Sequence, residues 1–279
     1  MRASQPSGDA LRNGLQKSLL GAIAGLLVAL LALPLVGLFI GTSPSELLSA
    51  LAHPLVWPAL RLSLLTTLVS LAIVVALGTP LAWALAQSRG RLARALEVVV
   101  QLPIVLPPAV AGVAMLLAFG RRGLFAGWLY PDGWSAAFTP LAVVMAQVFV
   151  SAPFFVAAAS NAFRRVDEKL LIVARTLGAS PLRVLLRVAL PLAAPGMVAG
   201  AVMSWARSLG EFGATLMFAG NLEGRTQTLP LAIYTALESD LRVAQALSIV
   251  LVIVAFTLLL VVRVAVGASR VPEGLEPRW

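Results

Sequence analysis

The chain has no cysteine and one histidine, His53, among its 279 residues. The first absence excludes disulfides, iron–sulfur clusters and thiolate-metal sites. The second leaves a proton relay or an imidazole metal cluster without its parts. Charge is scarce as well: 12% of residues are Asp, Glu, Lys or Arg, about half the share of a soluble domain. No paired carboxylates and no Ser/His constellation mark a substrate pocket, and no Gly-rich phosphate loop ending in Gly-Lys-Ser/Thr is present. The chain is therefore expected to be non-catalytic, without cofactor or metal of its own and unable to bind ATP. An integral membrane enzyme lacks a catalytic cluster here. A stand-alone secondary transporter lacks its coupling-ion carboxylates and internal repeat.

What the chain does have is apolar length. Charge-free windows run over 18–45, 62–88, 98–120, 133–163, 188–206 and 243–262, each of at least 19 residues. About 20 apolar residues cross a bilayer core as a helix. The alternating segments of about 10 residues that build a membrane β-barrel are absent. The pattern predicts an all-α integral membrane protein of six transmembrane helices, near 18–40, 60–86, 98–118, 139–160, 193–212 and 241–263. Four segments follow: 1–17, a cytoplasmic N-terminal segment; 18–58, the first transmembrane helix and an outer loop; 59–263, a transmembrane domain; and 264–279, a cytoplasmic tail. The first window follows Arg2, Arg12 and Lys17, but it is too long for a signal peptide and lacks a convincing cleavage site, so it reads as a retained helix. Gly21 and Gly25 in it match a small-residue packing motif, a spacing that chance supplies in so glycine-rich a chain.

The net charge of +9 reflects orientation rather than a nucleic-acid partner. With the N-terminus inside, 15 Lys and Arg fall on the inner side and 5 on the outer, namely Arg61, Arg121, Arg122, Arg225 and Arg242. Positive residues collect in cytoplasmic loops, so both termini are expected in the cytoplasm. Trp128, Tyr130 and Trp134 read as interfacial anchors in an outer loop. Pro103, Pro107 and Pro108 predict that the third helix begins broken or interfacial. Such a bend suits conformational change, but proline is also common in static membrane helices.

The long inner loop carries the most specific pattern. Read as a helix, 166–177 places Val166, Leu170, Val173, Ala174 and Leu177 on one stripe, with Asp167 and Glu168 in its first turn, at the positive end of the dipole. Gly178 ends it. Ser180-Pro181 restarts a helix as N-cap and first residue, and Arg183 and Arg187 form a basic face. Two readings fit: a rigid hairpin that docks on a soluble partner, and an amphipathic hairpin lying on the membrane surface.

This loop resembles that of binding-protein-dependent ABC importer permeases, written EAA, three residues, Gly, nine residues, Ile, one residue, Leu-Pro. Here Ala174 is followed by Gly178, Val188, Leu190 and Pro191 at those spacings. Ile172 and Val173 stand where the family often has Glu-Ala, and Val188 replaces Ile, so a specific contact through that glutamate is not expected. The resemblance covers about 60–263. It implies that the loop is a coupling element seated in a cleft of an ATP-binding subunit. It also implies two copies of the chain with two ATP-binding cassette subunits, which hold ATP and Mg, and a soluble oxyanion-binding protein. The setting it implies is the plasma (inner) membrane of a bacterium or archaeon.

A second stretch, Arg207 to Asn221 and on through Arg225 to Glu238, is similar to permeases for tetrahedral oxyanions. Met217-Phe-Ala-Gly-Asn221, Thr226-Gln-Thr-Leu-Pro230 and Tyr234 are most like molybdate permeases, with tungstate inseparable and sulfate or thiosulfate the alternative. Independently of family, Arg207 and Glu211 are four apart and share one helix face, roughly 21 Å along the fifth helix. Ionisable residues inside a membrane are usually buried or near water, and paired. Two readings remain: an ion pair that holds the helix, and a path in which Arg207 attracts the anion while Glu211 keeps it from being trapped. Asn221, Arg225, Thr226, Gln227 and Thr228 read either as an outer contact for a binding protein or as a solvated loop.

Overall fold

The computed structural model describes residues 8–88 and 90–268, with side chains described over 16–49, 51–88 and 90–260. Arg2, Arg89, Arg270 and Arg278 lie outside the described residues, as do the side chains of Arg12 and Arg263; so do most of the predicted tail 264–279 and residues 1–7 of the N-terminal segment. Among the described residues the chain is all helical. The helices are α1 (Gly8–Ile40), α2 (Pro44–Leu51), α3 (Val56–Gln87), α4 (Arg91–Val105), α5 (Pro108–Phe119), α6 (Ala126–Leu129), α7 (Pro140–Arg164), α8 (Glu168–Thr176), α9 (Pro181–Val184), α10 (Leu190–Leu209), α11 (Gly213–Ala219), α12 (Leu229–Ser239) and α13 (Leu241–Ala268).

Five stretches are long and apolar enough to cross a membrane: Gln16–Ile40, Val56–Gln87, Pro140–Arg164, Pro181–Leu209 and Leu241–Leu260. The expected third span is not one straight helix. α4 and α5 meet at 116° and make a sixth crossing only if the bent pair counts as one. The break lies at the proline doublet. Pro107 holds Leu106 extended, and Pro108 does the same to Pro107, whose ψ are 131° and 133°. The single prolines Pro34, Pro80, Pro103, Pro153 and Pro195 sit inside helices without such a break.

Two further expectations are corrected. The predicted outer loop after the fifth helix contains α11 and α12. The fifth helix ends at Leu209, so Glu211 lies beyond it, and it begins much earlier than residue 193. The chain runs helically from Pro181 to Leu209 through a π-helical stretch, Leu185–Ala189.

α3, α7 and α10 pack side by side. Small residues let them approach: a Cβ on Gly200 would lie 2.6 Å from the Cβ of Ala158, and one on Gly196 2.7 Å from that of Ala162. Without a hydrophobic driving force between helices in lipid, this close contact is what holds them together. Val74, Ala82, Phe155, Ala159, Phe163, Leu171, Val184 and Ala193 form a first core, which reaches the loop hairpin. α5, α7 and α11 share a second core around Phe218. α3, α12 and α13 share a third around Leu229 and Leu247.

α2 starts with a reciprocal cap. The Ser43 hydroxyl accepts from the Glu46 amide at 3.2 Å, and the Glu46 carboxylate accepts from the Ser43 amide at 3.0 Å. The Ser43 amide and hydroxyl, and more weakly Arg242, hold the Glu46 carboxyl below its usual pKa. A carboxyl with a depressed folded pKa contributes stability above its unfolded value and loses it as pH falls through the folded one. Amide protection of residues 44–51 is therefore expected to drop below about pH 4, and that pH dependence is expected to vanish in Glu46→Gln. Hydrogen exchange referenced to α3 measures both.

Candidate functional site

The hairpin of α8 and α9 is built by its caps. Asp167 accepts from the Lys169 amide at 2.9 Å with φ −59° and ψ 120°, so it is the N-cap rather than a first-turn residue, and α8 starts at Glu168. Gly178 takes φ +83°. Its amide donates to Arg175 O at 3.0 Å and that of Ala179 to Ala174 O at 3.1 Å, the two bonds of a glycine-terminated helix end. Ser180 then accepts from the Arg183 amide and Pro181 opens α9.

The expected apolar stripe divides. Val166 and Ala174 pack partly against the first core, whereas Leu170, Val173 and Leu177 are exposed. The buried anchor is Leu171, outside the expected stripe: the face turned to the core carries Leu171 and Ala174, a step round the helix from Leu170, Val173 and Leu177. Ile172, Leu182 and Leu186 are exposed too, so the hairpin presents an uncovered apolar surface. Asp167, Glu168, Gly178, Ser180, Pro181, Arg183, Arg187 and Pro191 are exposed around it, and Leu190 is half-buried.

The helix expected to start near residue 193 instead runs unbroken through Leu190-Pro191. Pro191 has no N–H, and just before it the ladder shifts to the wider i→i−5 register, with the Leu190 amide on Leu185 O. The second arm of the hairpin thereby continues into α10. Arg164 ties the neighbouring elements together: it pairs with Glu97 of α4 and donates to Leu85 O of α3 at 3.3 Å.

At the far end of α10, Arg207 Nη1 lies 2.6 Å from Glu211 Oε2. The Glu211 side chain is 1% exposed and that of Arg207 29%. Glu211 Oε1 also accepts from the Ala214 amide at 2.7 Å, in the first turn of α11. The carboxylate thus joins the end of α10 to the start of α11, which packs on α5: Gly213 leaves room for Pro108, and a Cβ there would lie 2.8 Å from Pro108 Cβ. Part of the Arg207 side chain remains uncovered by the rest of the chain. The structure brings the two residues together, but through a turn rather than along one helix.

The outer stretch is more closed than its polarity suggested. Thr226, Gln227 and Thr228 are buried, Asn221 is half-buried, and of the five expected contact residues only Arg225 is exposed. The amides of Arg225, Thr226 and Gln227 converge on Leu222 O. Thr226 accepts from the Leu222 amide, and Asn221 and Gln227 both donate to Thr235 Oγ1 at 2.8 and 3.2 Å. Thr226 thus satisfies its own loop's backbone, while Asn221 and Gln227 tie the loop to the Thr235 hydroxyl of α12.

A buried polar seam escaped sequence reasoning. Ser70 Oγ donates to Gln147 Oε1 at 2.9 Å, Gln147 Nε2 to Thr66 Oγ1 at 3.2 Å, and the Leu229 amide to Ser63 Oγ at 2.7 Å. Its signal was present: Ser63, Thr66, Thr67 and Ser70 recur at helical spacing in an otherwise apolar window.

Residues 76–270 match the model of the binding-protein-dependent transport system inner membrane component. The chain is 47% identical to the molybdenum transport system permease protein ModB of Mycobacterium tuberculosis, over 93% of this chain and 96% of that one. It is 33% identical to the molybdate/tungstate transport system permease protein WtpB of Pyrococcus abyssi, over 90% and 96%. Its fold is similar to that in a crystal structure of a bacterial alginate ABC transporter in complex with its alginate pentasaccharide-bound periplasmic protein, with a TM-score of 0.73 and 16% identity, over 91% of this chain and 94% of that one.

Proposed function

The chain belongs to the binding-protein-dependent transport system inner membrane components, and we propose that it is the permease subunit of an ATP-driven importer of molybdate or tungstate. Relatives spanning nine tenths of the chain carry those substrates in their names, which favours this reading over sulfate or thiosulfate. Family membership displaces the secondary transporter. In the proposed assembly two copies of the chain meet two separate ATPase subunits inside and a soluble oxyanion-binding protein outside. Both termini face the cytoplasm.

The observation that carries the mechanism is the continuity of Pro181–Leu209. Its 29 residues span roughly 43 Å at 1.5 Å per residue. One end is the hairpin arm with its exposed apolar face, and the other holds Arg207. ATP binding draws the ATPase pair together and moves the hairpin. A helix stiffened by its backbone ladder carries that movement to the anion end with little bending. The π-helical stretch is the compliant point along it. The cycle is a two-state equilibrium biased by nucleotide.

At the outer end Arg207 draws a dianion toward the path. Two unit charges 4 Å apart attract by about 4 kcal/mol at an effective dielectric of 20, so a dianion gains about 8, the free energy of a micromolar site. Glu211, 2.6 Å from the guanidinium, cancels much of that. A path must bind weakly enough to release.

The complex reconstituted with its ATPase is expected to take up labelled molybdate saturably. Tungstate is expected to compete at similar concentrations, and sulfate only at about a hundredfold excess. Sulfate uptake without molybdate uptake would restore the alternative substrate.

A further inference from the structure

On the outer side three segments close around a cleft of about 740 Å³: Gly120–Gly123 after α5, Gly133–Thr139 before α7, and Arg225. Arg121, Arg122 and Arg225 line it, all exposed, and none takes part in an ion pair among the described residues. No acidic side chain lines the cleft. The arrangement holds like charges around one opening, where an incoming anionic group gains from all three.

Apart from Ser135 and Thr139, the side chains of the rest of the wall are apolar or aromatic. Trp134 and Phe138 line the cleft and are 51% and 49% exposed. Phe138 has φ +61°, the only non-glycine with positive φ among the described residues. For a bulky side chain this conformation is costly, and such strain gathers at binding sites and clamps. It is held in place by the Phe138 amide on Phe218 O and by Gly220, where a Cβ would lie 3.0 Å from the Phe138 ring. The fold thus spends conformational energy on showing this ring to the outside.

Arginine beside exposed Trp and Phe is the composition of a protein–protein hot spot. The cleft has the size of a site for a drug-sized group, far larger than a five-atom oxyanion needs, and much of its wall would offer such an anion nothing. We propose that this cleft seats a carboxylate-bearing segment of the soluble binding protein, its acidic side chain on Arg121, Arg122 and Arg225 and its apolar neighbours on Trp134 and Phe138. The proposal rests on the importer reading above and adds to it the surface at which the external partner is held.

The test is the concentration of molybdate-loaded binding protein that half-maximally stimulates ATP hydrolysis by the reconstituted complex, measured at roughly 50 and 300 mM salt, where screening lengths differ more than twofold. In Arg121→Gln/Arg122→Gln/Arg225→Gln that concentration is expected to rise about tenfold or more and its salt dependence to flatten. The corresponding triple Lys variant is expected to retain most of the response. Phe138→Gly, which removes the ring and relieves the strained backbone, is expected to weaken half-saturation without lowering thermal stability. Unchanged half-saturation and salt dependence in the triple Gln variant overturn the cleft while the importer reading stands. So does unchanged half-saturation with reduced maximal uptake, which would place the oxyanion itself there. An effect that disappears in vesicles of purely zwitterionic lipid also overturns it and assigns the cleft to an anionic headgroup. A wild-type complex that never responds to the binding protein overturns the importer reading and this proposal together.

Discussion

Gly178→Asp is expected to leave the protein folded and inserted while reducing nucleotide-dependent molybdate uptake about a hundredfold. The argument separates backbone strain from surface chemistry. Gly178 sits at φ +83°, a region that Asp and Asn enter more readily than other side chains. A Cβ there meets nothing within 4 Å, so nothing has to move aside. The cost to folding is on the order of 1 kcal/mol, small against a total of about 5–15. The new carboxylate, however, stands among exposed apolar side chains, next to Leu177, which is 82% exposed. If an ATPase cleft covers this face, the variant buries a charge without a partner. That costs several kcal/mol, and each 1.4 kcal/mol is a factor of ten.

Gly178→Asn keeps the shape without the charge and is expected to fall between wild type and Asp. Uptake into proteoliposomes, together with co-purification of the ATPase, reads both effects. A hairpin that merely lies on the membrane surface would tolerate either substitution, since a carboxylate at the headgroup level stays hydrated. Wild-type uptake by the Asp variant would therefore return the hairpin to that role.

How much of this was legible beforehand depends on whether a feature is local. Charge-free windows locate spans because crossing a bilayer requires mainly length, and five stretches in the structure follow them closely. The hairpin's caps were readable because Ser180, Pro181 and Gly178 act on their own backbone neighbours. Pro107-Pro108 announced a break but not its 116° angle, which depends on what α4 and α5 pack against. The continuity of α9 with α10 was missed because Leu190-Pro191 looks like a stop; only the wider register around Leu185–Ala189 lets the helix pass it.

Polarity misled most in the outer stretch. α11 and α12, of 7 and 11 residues, are too short to stand out as apolar spans beside the polar stretch Asn221–Thr228. Both helices are short and depend on packing: α11 on α5 and α7, and α12 on α13. Thr226, Gln227 and Thr228 were placed outside because they are polar. In a chain surrounded by lipid, polar side chains are instead drawn inward, where Thr226 meets the Leu222 amide and Gln227 the Thr235 hydroxyl. Glu211 follows the same rule: its carboxylate serves the Ala214 amide as well as Arg207.

Substituting both members of that pair is expected to separate holding the helix from guiding the anion. Arg207→Ala alone strands a carboxylate that is 1% exposed, which costs about 3–5 kcal/mol, so lost uptake in this variant would not distinguish the two roles. Arg207→Met/Glu211→Gln removes both charges, keeps the volume, and leaves a side-chain oxygen for the Ala214 amide. Replacing a buried ion pair with well-packed neutral groups is often close to neutral for stability. The double variant is therefore expected to melt within a few degrees of wild type. Its uptake is expected to fall at least tenfold, because the dianion loses the only cationic side chain in the described part of α10. Glu211→Gln alone keeps the cation and removes its brake, so it is expected to bind molybdate more tightly and release it more slowly, with lower maximal uptake and lower half-saturation. If the double variant transports at the wild-type rate, the pair serves only to join α10 to α11, and the anion crosses elsewhere. If Glu211→Gln shifts maximal uptake and half-saturation in opposite directions, the weak-binding account of the path is also wrong.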